Sequence, residues 1–170
     1  MSGFLPVPDA SAYLRGEWRV LRSVRDLASG AEGEFSGTTV FSPLDGGGLL
    51  HRETGNFVWQ SVARPAERTL RFLPGAAPGT VDVRFADGRP FHDLDLTTGH
   101  WRTEHPCAAD LYRGEFSVYG EDRWRTTWRV GGPAKDQLLV TDYTRDPPAG
   151  ALPTARRPAS GSSGPRGPRP

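Results

Sequence analysis

Nine residues, EHPCAADLY at positions 104 to 112, bring together His105, the single cysteine Cys107, Asp110 and Tyr112. Such side chains can ligate a transition metal, pair a cysteine nucleophile with a histidine base, or finish the edge of a fold. Spacing argues against the first two. A metal needs three or four ligands in a defined geometry, and this one H-x-C has no second H-x-H or C-x-x-C behind it. Pro106, between His105 and Cys107, predicts a stiff turn rather than a strand. We therefore expect no metal, no cofactor, and a rigid connection from Glu104 to Asp110 at the rim of the fold. In that reading Cys107 is a buried structural thiol and Asp110 caps the turn. His105 is then either a rim residue that reaches a ligand or a turn histidine bonded to Asp110.

A second set of polar residues is marked by phase. Alternate side chains of a strand share a face, so a polar residue in step with apolar ones points inward. His92 is in step with Leu94 and Leu96, and Arg68 with Leu70 and Phe72. Arg22 is in step with Trp18, Val20 and Val24, Tyr112 with Phe116 and Val118, and Thr126 with Trp124 and Trp128. Buried polar groups are costly unless satisfied. Arg22, Arg68, His92, Tyr112 and Thr126 at inward phase thus imply a hydrogen-bonded internal network or a ligand cavity with polar anchors. Glu53 is either the countercharge of an inner arginine or a solvent-facing residue. Of 21 basic residues only Lys135 is a lysine. It is a surface turn residue paired with Asp136, or a mouth lysine that meets an anionic ligand.

The elements that must position these side chains are short strands. Asp9 can cap a small helix over DASAYLR, and Gly16 can end it. Beyond it, about eight to ten alternating runs follow one another across turn signals such as SPLDGGG, GAAPG and ADGRP. That pattern predicts an all-β antiparallel up-and-down barrel, closed so that no long edge is left exposed, with a two-sheet sandwich as the alternative. The barrel domain is expected over residues 8–145. From Asp146 the chain runs DPPAGALPTARRPASGSSGPRGPRP, a composition that cannot bury enough apolar surface, so residues 146–170 read as a disordered tail.

The formal net charge of +1 gives no general drive toward nucleic acid or a membrane surface. There is no basic-then-apolar leader and no apolar stretch of membrane-spanning length. A cytoplasmic protein is the expectation, with a small-molecule ligand as its partner and neither nucleic acid nor membrane. The oligomeric state is left open.

Gly16-Glu17-Trp18 after a short helix, together with Tyr143-Thr144-Arg145 at the end of the last strand, resembles the calycin superfamily of lipocalin-like barrels. The resemblance implies that Trp18 packs beneath Arg145 to close one barrel end, a pairing favoured by indole–guanidinium attraction. The blocks GEWRVLRSVRD, GEFSGTTVF, HRETGNF, RTLRF, FADGRPFHDLDL, HPCAADLY and WRVGGPAKDQLLVTDYTR are similar, in order and spacing, to domain-of-unknown-function family 6314. That resemblance implies a calycin-like barrel and supplies no activity.

Three functions fit. The first is a site for a small aromatic or acidic molecule inside the barrel. Arg68 would hold the anion with Arg22, Glu53, His105, Thr126 and Lys135 as further ligand-binding candidates, and His92 and Tyr112 would position or transfer a proton in an isomerisation or cyclisation. The second, implied by the calycin resemblance, is a haem-binding barrel with His92 as axial ligand. The third is a non-catalytic structural or interaction protein with a filled interior.

Overall fold

The computed structural model describes residues 3–146; the expected tail from residue 147 onward lies outside them. Helix α1 (Ala10–Leu14) is followed by β1 (Gly16–Asp26), β2 (Glu32–Pro43), β3 (Leu49–Trp59), β4 (Val62–Pro74) and β5 (Val81–Phe85). Then come β6 (Pro90–Leu94), β7 (His100–Cys107), β8 (Asp110–Gly120), β9 (Arg123–Gly132) and β10 (Lys135–Thr144). All ten strands belong to one antiparallel sheet in the order β6-β5-β4-β3-β2-β1-β10-β9-β8-β7. The first and last strands pair from Arg19↔Thr144 to Asp26↔Gln137, which curls the meander into a barrel.

The ladder stops between β6 and β7, so the barrel is nearly closed rather than continuous. Side chains span this seam: Trp101 Nε1 donates to the Asp93 carbonyl at 3.1 Å, and Thr103 Oγ1 to the Asp93 carboxylate at 3.1 Å. The N-terminal segment straps the same region, with Leu5 N bonded to Val118 O at 2.8 Å and Val7 N to Leu96 O at 2.9 Å. Gly99 makes the strap feasible: its φ is +77°, and a Cβ there would collide with the Leu5 carbonyl.

Helix α1 plugs one barrel end. Asp9 accepts a hydrogen bond from Ala12 N, and Ala10 and Leu14 are fully buried. Trp18, fully buried, donates its Nε1 to Leu14 O at 2.7 Å. The Arg145 guanidinium lies 4.1 Å from the centre of the Trp18 indole. It also donates to the carbonyls of Tyr13, Arg15 and Glu121 and to the Asp122 carboxylate, so its charge is matched on every side. The opposite end is open.

Two expectations about EHPCAADLY are corrected. Glu104 to Cys107 is strand, paired Glu104↔Arg113, His105↔Tyr112, Pro106↔Leu111 and Cys107↔Asp110. Pro106 is accommodated because β7 ends the sheet, where a residue lacking an N–H costs least. Only Ala108 and Ala109 make the turn, with Ala108 at φ 53°. Cys107, beside that turn, is exposed rather than buried. No helix among the described residues is long and apolar enough to cross a membrane.

Candidate functional site

Alternation along the strands lines the interior with Phe72, Phe116, Trp124 and Tyr143, and the same phase brings Arg22, Arg68, His92, Tyr112 and Thr126 onto the wall of one inner chamber of about 100 Å³. Toward the open end this chamber meets a wider, more open one of about 500 Å³, lined by Phe35, Phe57, Trp59 and Ala66. Arg22, Arg68 and Leu139 belong to both walls.

Arg22, on both walls, is paired with Glu53, which lines the outer chamber. Arg22 donates both terminal nitrogens to Glu53, at 2.8 and 2.9 Å, and its Nε to Thr141 Oγ1 at 2.8 Å. Glu53 is 3% exposed and also accepts from Thr39 Oγ1 at 3.2 Å. Burial works to raise the Glu53 pKa, but the Arg22 hydrogen bonds and the charges of Arg68 and Arg22 hold it at about 2. Arg22 is therefore spoken for. Arg68 is not: its guanidinium lies 3.7 Å from Glu53 with no hydrogen bond between them, and its side chain is 45% exposed. Two guanidinium charges face one buried carboxylate, so this level of the barrel keeps a surplus positive charge on Arg68.

His92 is buried against Phe91, Phe116 and Trp128, with ring centroids 4.8, 5.3 and 5.3 Å away. Burial lowers its pKa to about 4, against the opposing pull of the Asp93 carbonyl, so the ring is neutral at pH 7. Its Nδ1 sits 2.7 Å from that carbonyl and must donate to it, which leaves the lone pair on Nε2. His51, not singled out by phase arguments as a site residue, also lines the inner chamber. It is 2% exposed, wedged between Phe41 and Phe72, and burial brings its pKa down to about 3. Its Nδ1 and the indole Nε1 of Trp124 are the buried side-chain atoms without a hydrogen-bond partner among the described residues. His51 shares its face with Leu49 and Glu53; only the packing around it reveals the unmet nitrogen.

The two histidines make stability pH-dependent. Unfolded, both titrate near 6.5; folded, both resist protonation until about 4 and about 3. Between those values the unfolded chain binds more protons, so stability is complete above 6.5 and falls as pH drops. Denaturant unfolding at pH 6, 5 and 4 is expected to show a slope approaching about 2.7 kcal/mol per pH unit, two protons' worth. Glu53 adds its loss only below about 4.5, as pH falls toward its folded value near 2. A flat profile from pH 6.5 to 4 would contradict the buried, neutral state of both rings.

Two predicted site residues stand apart from both chambers. His105 packs edge-on against Phe85 and Phe91 at 5.7 and 5.2 Å and lies opposite Tyr112, without bonding Asp110. Lys135 reaches Asp110 at 3.4 Å, while Asp136 pairs with Arg129 instead. The haem expectation fails on fit. The rings around His92 occupy the space a macrocycle would need, and the inner chamber is smaller than the roughly 150 Å³ cavity that takes a single benzene.

No curated protein matches the chain. A family model described as "Family of unknown function (DUF6314)" matches residues 14–145. Among solved structures, the S-type phycobiliprotein lyase CPES from Guillardia theta aligns with a TM-score of 0.60 at 11% identity, covering 84% of this chain and 94% of that one. A protein with unknown function from the DUF3598 family of Nostoc punctiforme aligns with a TM-score of 0.58 at 14% identity, covering 85% of this chain and 50% of that one. The chain thus spans about half the length of the second. At these identities the likeness shows a shared barrel fold and nothing finer.

Proposed function

Given that the chain belongs to DUF6314, a family of unknown function, we propose that it binds a small aromatic acid in the barrel, with Arg68 as the anion anchor. The observation that carries this reading is the surplus guanidinium. Arg22 is saturated by Glu53 and Thr141, whereas Arg68 faces both chambers with a free fork suited to a carboxylate or phenolate. The aromatic part follows from the outer wall, where Phe35, Phe57 and Trp59 offer flat apolar surface. His92 and Tyr112, on the inner wall, are in this reading the groups that exchange a proton with a substrate. An isomerisation or cyclisation is the reaction class that needs no more than these.

Titration with hydrocinnamate, followed by tryptophan fluorescence, tests the anchor, because Trp59, Trp124 and Trp128 line the two chambers. Arg68→Met is expected to weaken binding at least about tenfold, the value of one charge-assisted contact. The same variant should unfold within about 0.5 kcal/mol of the parent, since a half-exposed ion pair contributes little. Equal affinity of parent and variant removes the anchor; failure of every aromatic acid to bind removes the reading.

A further inference from the structure

The register of β2, β3 and β4 sets their inward residues in rows. One row is Thr39, Glu53 and Arg68. The next toward the open end is Gly37, Gly55 and Ala66, and the one beyond it is Phe35, Phe57 and Arg64. Residues paired across an antiparallel ladder point to the same face, so Arg64 shares the inward phase of Phe57 and Arg68. The two arginines thus stand on one face of one strand, four residues or about 13 Å apart. The row between them carries no side chain larger than a methyl group.

The small residues let flat rings lie against the backbone. A Cβ on Gly55 would meet Phe35 Cζ at 2.7 Å, and one on Gly33 would meet Trp59 Cε3 at 2.5 Å. Phe57 stacks on Trp59 at 6.1 Å with a 20° interplanar angle. Phe57 and Trp59 line both the outer chamber, which Arg68 borders, and a rim pocket of about 400 Å³, which Arg64 borders. One aromatic surface therefore connects the two guanidiniums.

Their charges are left over. Among the described residues Arg64 makes no hydrogen bond or ion pair, and Arg68 only approaches Glu53, itself matched by Arg22. Glu67 also borders the outer chamber, but it lies at the outward phase of β4 and pairs with neither arginine. Both guanidiniums are open to solvent, so a ligand can reach them. Unmatched cations at the two ends of an aromatic surface are complementary to a flat body with an anion at each end.

We infer that the ligand is an elongated aromatic diacid, with one carboxylate at Arg68, the other at Arg64, and its rings along Phe35, Phe57 and Trp59. The inner carboxylate rests on the binding reading above. The outer one rests on Arg64 and on the rows that connect it to Arg68.

The linear biphenyl dicarboxylate and its monomethyl ester carry the same rings and differ by one charge. Each is titrated by calorimetry into the full chain and into its Arg64→Met, Arg64→Glu and Arg68→Met variants. The parent is expected to bind the diacid about tenfold more tightly than the ester. About twofold of this comes from the two equivalent ends of the diacid, and about fivefold from one exposed ion pair at the favourable end of its range. Arg64→Met should leave only the twofold, and Arg64→Glu should remove that too by repulsion. Both replace an exposed side chain, so each should keep the parent's urea midpoint. Arg68→Met should weaken the diacid about tenfold. A preference of twofold or less in the parent overturns the outer site and leaves Arg68 standing. A tenfold preference that survives in both Arg64→Met and Arg64→Glu overturns the placement at Arg64. A preference that depends on Arg64 while Arg68→Met leaves diacid affinity unchanged overturns the anchor at Arg68, and the bridge with it. No binding of either probe to the parent overturns both.

Discussion

Trp18→Ala is expected to cost about 3–5 kcal/mol of unfolding free energy, the range for deleting a large buried aromatic side chain. The indole is fully buried, donates to Leu14 O at 2.7 Å, and meets Trp124 edge-on at 6.0 Å. Its loss opens a cavity under α1 and strips the Arg145 guanidinium of the ring it covers at 4.1 Å. Trp18→Phe keeps most of the volume but loses the N–H and the larger face, so a loss of about 1–2 kcal/mol is expected. Urea unfolding with an unchanged slope checks both. A loss below about 1 kcal/mol for the alanine variant would mean that this barrel end is held by something other than the Trp18–Arg145 pair.

Arg22→Leu carries an effect of similar size for an electrostatic reason. It removes three hydrogen bonds and leaves Glu53, 3% exposed, without its bidentate partner. Breaking a buried ion pair by removing one member costs about 3–5 kcal/mol, because the remaining charge is uncompensated. Arg68, 3.7 Å from Glu53, can swing inward and recover part of that, so the lower end is expected at pH 7. Two results follow. The double variant Arg22→Leu/Glu53→Leu should regain most of the loss, since no charge is then buried. The penalty of the single variant should also shrink as pH falls. Without Arg22, burial raises the folded pKa of Glu53 above its ordinary 4.5, and protonation then relieves the folded state. A penalty that does not change between pH 7 and 4 would show that Glu53 is not what Arg22 neutralises.

Much of the site was legible because a strand repeats every two residues. Arg22, Arg68, His92, Tyr112 and Thr126 were marked by their step with apolar neighbours, and all five line the inner chamber. The step gives the face but not the height along the barrel. It could not say that Arg68 is half-exposed while Arg22 is sealed against Glu53, since that depends on how β1, β2, β3 and β4 line up in register. Pro106 misled for a similar reason. A proline breaks an inner strand, and nothing local reveals that β7 ends the sheet. His51 was passed over because its neighbours Phe41 and Phe72 come from other strands, and an unmet hydrogen bond is a property of surroundings rather than of a residue.

With the Trp18–Arg145 pairing coming only from the calycin resemblance, the sequence by itself determined the strand-by-strand alternation, the helix capped by Asp9 and the roster of inward polar groups. These are short-range or set by periodicity, and the chain writes them directly. Only the tertiary structure decided that EHPCAADLY is a hairpin with an exposed thiol, that one arginine is neutralised and the other left free, and that two side-chain nitrogens are buried without a partner among the described residues. Those facts depend on which strands become neighbours when the sheet curls, a choice made by packing over distances that no local pattern encodes.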